Sequence, residues 1–141
     1  MTSDLRDVEG LGFVLYRSTA TAGLSDTGLR NILATARERN QKLGLTGCLH
    51  HEDGLFFQWL EGPSVSLVKV LEAIQADGRH DHVDLLDQGP LDHRRFQNWR
   101  MRFSDRDSAS LMDWFARSDS STVDRKHYAN GIVSFLLGES A

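Results

Sequence analysis

Three polar side chains, Tyr16, Asn40 and Gln58, occupy positions where the surrounding pattern asks for apolar ones. Gln58 lies between Phe57 and Trp59, and strand alternation gives it the face of Phe56 and Leu60. A buried amide left unpaired costs about 1–3 kcal/mol, so something must meet both its donor and its acceptor. Tyr16 shares a face with Val14 and Ser18, while Phe13 and Leu15 take the other. Asn40 comes four residues after Ala36 and eleven after Leu29, which puts it on the buried stripe of a continuous helix. A phenol and two amides, with no strong acid or base among them, suit the binding of a neutral hydrogen-bonding ring better than hydrolysis. Each residue also has a plainer role open to it. Asn40 can cap its helix, Gln58 can bond a neighbouring side chain, and Tyr16 can be core with a bonded hydroxyl.

The elements that must position these residues follow from periodicity. Leu11 to Tyr16 reads as a strand buried on both faces. Ser25 or Asp26 caps a helix whose Leu29, Ile32, Leu33 and Ala36 face inward while Arg30, Arg37 and Glu38 face water, and Gly44 ends it. Leu45 to His51 and Leu55 to Leu60 flank Glu52-Asp53-Gly54, whose Asp-Gly pair signals a hairpin. Gly62-Pro63 stops the second of these strands, and Ser64 opens a helix striped by Leu67, Leu71 and Ile74 that breaks at Asp77-Gly78. Val83 to Leu86 forms a fourth strand, and Trp99 to Phe103 a fifth that alternates with period two.

This order, βαββαββ, predicts an α+β, ferredoxin-like fold: two helices on one face of a five-stranded, mostly antiparallel sheet. Amphipathic helices over Ser108–Arg117 and Val123–Leu137 would cover the other face through Leu111, Met112, Phe115, Ile132, Phe135 and Leu136. The expected division is a flexible lead-in over 1–10, a core over 11–104 and a helical extension over 105–141. Strands 1 and 3 are neighbours in this topology and the first helix packs over them, so Tyr16, Asn40 and Gln58 are expected to line one pocket.

Composition narrows the function classes. The 141 residues, 40% hydrophobic and 26% charged, match one folded domain. Sixteen Lys and Arg against 20 Asp and Glu give a net charge of −4, and without a basic block direct nucleic-acid binding is not expected. The single Cys48 excludes an internal disulfide framework and a paired CxxC, which fits a reducing cytoplasm. The polar, acidic opening is unlike a signal peptide, and no apolar run approaches the ~20 residues of a membrane span, so a cytoplasmic protein is expected. No metal is expected. His50 and His51 are adjacent on a strand and point to opposite faces, and His80 and His82 with Asp77 and Asp81 lack a specific ligand spacing.

Five ordered stretches carry a resemblance. They are Leu15-Tyr16-Arg17-Ser18; Asn40 with Leu45-Thr46-Gly47; Gly54 to Gly62; Asp77-Gly78-Arg79-His80; and Arg95 to Met101. In order and spacing they resemble the BLUF family of flavin blue-light sensors over residues 11–104, with Phe-Phe-Gln-Trp-Leu-Glu-Gly resembling its AppA-type branch. The resemblance implies a non-covalently held flavin, usually FAD with FMN possible, between the two helices of the core. It implies that Tyr16 donates an electron and a proton to the excited ring and that Gln58 bridges the hydroxyl to the flavin edge. Asn40 and Ser18 match further polar positions of that pocket, Ile32 and Ile74 apolar positions against the ring, and Arg79 with His80 the pair near the flavin side chain and ring edge. Trp99 and Met101 match the final-strand pair that reports the glutamine state, and either can be the one facing inward.

Three positions depart from the family pattern. His50 and His51 stand where aromatic or apolar residues are common, and Arg39 precedes Asn40 where the AppA-type branch has His. Without an attached effector, output is expected through a downstream regulator protein or a homo-oligomer, with no membrane partner. A receptor forming a cysteinyl–flavin adduct at Cys48 is not supported, because its Asn-Cys-Arg-Phe-Leu-Gln motif is absent. An acyl-phosphate hydrolase and a non-photoactive interaction module are the remaining alternatives, although no glycine-rich phosphate loop or Ser-His-Asp arrangement occurs.

Overall fold

The computed structural model describes residues 9–20, 23–76, 80–96, 102–105, 110–111 and 125–140. In chain order the elements are β1 (Leu11–Ala20), α1 (Asp26–Leu43), β2 (Thr46–Glu52), β3 (Leu55–Pro63), α2 (Ser64–Ala76), β4 (His80–Pro90), β5 (Arg102–Asp105) and α3 (Arg125–Ser140). The strands form one sheet in the order β4-β1-β3-β2-β5. Every pairing is antiparallel except β2 with β5. The first four strands with α1 and α2 make the ferredoxin-like core, and β5 extends it beside β2.

Local chemistry sets these boundaries. The Ser25 side chain accepts from the Gly28 N–H at 3.0 Å and starts α1. Gly44, at φ 70°, ends it in the left-handed conformation that a Cβ would strain. Asp53 and Gly54, at φ 52° and 78°, form a two-residue turn with positive φ at both central positions. That turn matches the twist of β2 and β3 and fixes their register. Glu52, expected in the turn, instead closes β2 opposite Leu55.

Each sheet face has its own core. Val14, Tyr16, Leu49, Phe56 and Leu60 pack under Ile32, Leu33 and Ala36 of α1 and Leu67, Val70 and Ile74 of α2. Leu15, Cys48, Phe57, Trp59 and Leu86 pack with Phe96, Leu111 and Ala129, Ile132, Phe135 and Leu136 of α3. The C-terminal helix thus completes the second core.

The strands run past their expected ends. The first runs on to Ala20, the third, expected to stop at Gly62-Pro63, includes both, and the fourth, expected over Val83–Leu86, spans His80–Pro90. Of the expected last strand Trp99–Phe103, Arg102 and Phe103 lie in β5, which runs on to Asp105, while Trp99 and Met101 lie outside the described residues. Of the expected helix over Ser108–Arg117, only Ser110 and Leu111 are described. Among the described residues no helix is long and apolar enough to cross a membrane.

Gly47 marks the closest approach of β2 to β3, because a Cβ there would run into the Trp59 backbone carbonyl. Two strand backbones must move to accommodate it. Gly47→Ala is expected to cost about 1–3 kcal/mol, read as a lower urea midpoint with an unchanged slope.

Candidate functional site

Tyr16 stands directly opposite Gln58 in the β1–β3 ladder, and Gln58 stands opposite Leu49 of β2. The ladder between β1 and β3 is regular throughout. The irregularities fall on the other side of β1, where the pairing with β4 shifts between Leu15 and Tyr16 and again between Arg17 and Thr19. Tyr16 and Gln58 are therefore held in register while β4 absorbs the bulges. Tyr16 is fully buried, Gln58 is 3% exposed, and Ser18 shares their face.

From above, α1 supplies Ile32 and Asn40, and α2 supplies Ile74, all buried. The helix-capping role open to Asn40 is filled by its main chain, whose carbonyl accepts from the Leu45 N–H at 2.8 Å and from the Gly44 N–H. Its side chain is not needed for the cap. Oδ1 of Asn40 and the hydroxyl of Tyr16 are buried atoms with no hydrogen bond among the described residues, although both residues make further contacts.

The structure buries six of the expected residues, Tyr16, Ser18 and Gln58 on the sheet and Ile32, Asn40 and Ile74 on α1 and α2, and packs Tyr16, Ile32 and Ile74 into one core. Arg79, Trp99 and Met101 lie outside the described residues, and of His80 only the backbone is described, opposite Ala20 at the start of β4. The open groove of about 340 Å³ along α1, lined by Thr35, Glu38, Arg39, Lys42 and Leu43, shares no residue with this set. Among the described residues no His, Cys, Asp or Glu cluster could hold a metal ion.

A flavin ring edge presents carbonyl and ring-nitrogen acceptors beside an imide donor, between two apolar faces. A hydroxyl, a phenol and two amides with flanking isoleucines match that set in kind, and none of them carries a charge. The donor set therefore fits the ring.

The opposite face carries a buried carboxylate. Glu61 is fully buried and accepts from Thr46 Oγ1 (3.0 Å), Trp59 Nε1 (2.9 Å) and the backbone N–H of Arg95 and Phe96 (both 2.8 Å). Arg94 reinforces the clamp through Thr46 Oγ1 at 3.0 Å and the Gly44 carbonyl at 2.6 Å. Phe13 stacks on Trp59 at 4.5 Å, and the Arg95 guanidinium lies 5.4 Å from the indole centroid. The stretch after β4 is thereby fastened to β3, the strand that carries Gln58. In the sequence Glu61 is one letter of a motif, and only its parity with Trp59 hints that it points away from Gln58.

The family model for sensors of blue-light using FAD, BLUF, matches residues 11–102. This chain belongs to the BLUF family. Flavin is its cofactor, and blue-light sensing is the family's function. Photoactivated adenylate cyclase subunit beta of Euglena gracilis is 40% identical over 79 residues, 56% of this chain and 9% of the relative's length. The chain therefore corresponds to a small part of the curated relatives it matches. Among solved structures, the BLUF protein BlrB in its dark state superposes with a TM-score of 0.74 at 29% identity, covering 91% of this chain and 98% of that one. BlsA in its photo-activated state gives a TM-score of 0.78 at 27% identity, covering 90% and 94%. A Klebsiella pneumoniae BlrP1 structure with FMN and cyclic diGMP gives 0.67 at 27% identity, covering 92% of this chain and 35% of that one.

The Glu61 clamp yields a stability prediction. Glu61→Gln places an NH₂ where two donors converge, and Glu61→Ala leaves four donors without their acceptor. Expected losses are about 1–3 kcal/mol for the first and more for the second, measured by urea unfolding of the flavin-loaded protein.

Proposed function

We propose that this chain is a blue-light photoreceptor in which Tyr16 and Gln58 are the photoactive pair and the C-terminal residues pass the signal to a partner protein. The observation that carries the reading is the direct opposition of these two buried side chains on the face beneath α1 and α2. When bound, the flavin supplies an excited ring that oxidises its surroundings. Tyr16 is the nearby group that can be oxidised, and because a phenol is neutral in the dark its proton leaves with the electron. Gln58 accepts and donates at opposite ends of one amide, so it relays that proton and reorients with no net change in charge. On return of the electron and proton, Tyr16 is restored and the reoriented amide remains as the signalling state.

Asn40 and Ser18 hold the polar edge of the ring, and Ile32 and Ile74 flank its faces. Arg79 and His80 belong to the same reading as contacts to the flavin side chain and ring edge, and Trp99 and Met101 as reporters of the Gln58 state. The division into a lead-in over 1–10, a sensor core over 11–104 and a helical extension over 105–141, with a first helix over 108–117, is part of it. The chain acts without enzymatic activity of its own, as a cytoplasmic homo-oligomer or with a downstream regulator. FAD is the preferred flavin, in keeping with the family's description, and FMN the alternative.

Purified protein is expected to be yellow and to show a reversible red shift of its flavin absorption on blue illumination. Gln58→Leu is expected to keep the flavin and lose the red shift, and Tyr16→Phe to keep the flavin and lose the light reaction. Absorption spectra before and after illumination check both, and denaturation with chromatography identifies the released flavin. An unchanged difference spectrum in Gln58→Leu would remove Gln58 from the switch.

A further inference from the structure

A buried His–Glu pair lies on the face away from Tyr16. His50 and Glu52 sit two residues apart on β2, both with side chains 0% exposed, and His50 Nε2 lies 2.9 Å from Glu52 Oε1. An ionised carboxylate can only accept, so it pairs with an imidazole bearing hydrogen on Nε2. Glu52 also accepts from the Leu111 N–H at 2.6 Å and from Ser110 Oγ at 2.9 Å. The imidazole meets the Phe135 ring of α3 edge-on, with centroids 4.9 Å apart, and stands 6.4 Å from the Phe57 ring.

Two pieces of the C-terminal region, residues 110–111 and α3, therefore converge on one side-chain pair of β2. That pair has a short path to the flavin face. His50 lies opposite Phe57 in the β2–β3 ladder, next to Gln58, and Leu49 lies opposite Gln58 itself. On the other edge, His50 lies opposite Ser104 of β5. A buried, hydrogen-bonded pair transmits small displacements because breaking any one bond strands a desolvated polar group. An apolar residue at position 50 would lack the bond to Glu52 and so lose this property.

We infer that His50 and Glu52 are positioning residues that couple the state of Gln58 to the C-terminal region, through the Ser110–Leu111 backbone and Phe135. The inference rests on the reading of Gln58 as the switch, and it assigns the histidine at position 50 a role in output rather than in flavin chemistry. A shift of β2 against β3 moves Glu52 relative to the backbone it caps and moves the imidazole against Phe135.

The test uses the full chain loaded with FAD and two readouts, the light-minus-dark absorption spectrum and amide hydrogen exchange over residues 125–140 in darkness and under continuous blue light. The wild type is expected to show a red shift and a light-dependent change in exchange. His50→Phe and Glu52→Gln are expected to keep the red shift while the light-dependent change in exchange shrinks about fivefold or more, the lower end of ordinary coupling between sites. His50→Gln, which keeps a side-chain N–H for Glu52, is expected to recover most of it. Ser110→Ala removes one bond to Glu52 without touching the sheet, and it carries the test, with a partial loss, if the buried variants fail to fold. A purely structural role would raise exchange equally in darkness and light and leave their difference intact.

A wild-type-sized light-dependent change in His50→Phe and Glu52→Gln would overturn the inference, as would its absence in a wild type that shows the red shift. Loss of the red shift in His50→Phe with flavin retained would also overturn it, by placing His50 in the switch itself. A wild type that retains flavin but shows no red shift is a different result, one that defeats the reading of Gln58.

Discussion

The register of β1 on β3 is the constraint on which the rest depends. It sets a phenol against an amide in the middle of an apolar sandwich, with Tyr16 opposite Gln58 and both closed off by α1 and α2. Side chains alternate along a strand, so a slip of one residue would carry Gln58 to the other face and bring Trp59 to this one. The hairpin at Asp53-Gly54 fixes β3 relative to β2, and Gly47 lets the two backbones approach closely. The bulges of the β1–β4 pairing lie across β1 from Gln58, and the β1–β3 ladder that sets Tyr16 against Gln58 stays regular.

The sheet separates two kinds of polarity. On the face beneath α1 and α2 the buried polar residues Tyr16, Ser18, Asn40 and Gln58 are neutral, which permits an amide to reorient without moving a charge through a low-dielectric core. On the other face stand two buried carboxylates, Glu52 and Glu61, each receiving several donors from segments distant in sequence. A carboxylate there is expensive to desolvate and worse to strand, so it acts as a fixed anchor. Glu61 fastens the stretch after β4, and Glu52 the stretch that precedes the C-terminal helix. Under the proposed reading, a reorienting Gln58 is backed by fixed groups, the arrangement that turns a local hydrogen-bond change into a displacement.

Much of this is legible in the amino-acid pattern. The cap at Ser25, the helix end at Gly44, the Asp-Gly hairpin and the parity of Tyr16 and Gln58 are local features, set by one or two dihedral angles or by alternation. The full length of β4 is not, because His80, Asp81, His82, Asp84 and Asp87 have the polarity of a loop. The strand lies at the sheet edge, where one side meets water and polar residues are tolerated, and its bulges break the period-two pattern. Of the expected last strand, Arg102 and Phe103 lie in β5, whose partner β2 alternation alone does not name.

The sequence by itself determined the parity of Tyr16 and Gln58 on their strands, the start of α1 at Ser25 and its end at Gly44, and that a phenol and two amides would stand at buried positions. Only the tertiary structure decided that Glu52 closes a strand instead of making a turn, that His50 meets both Glu52 and Phe135, and that Glu61 holds the backbone of Arg95 and Phe96. The physical reason is range. Alternation, caps and turns act within a few residues, whereas a buried carboxylate is satisfied by whatever donors the folded chain brings to it, here including backbone N–H groups from 34 to 59 positions away.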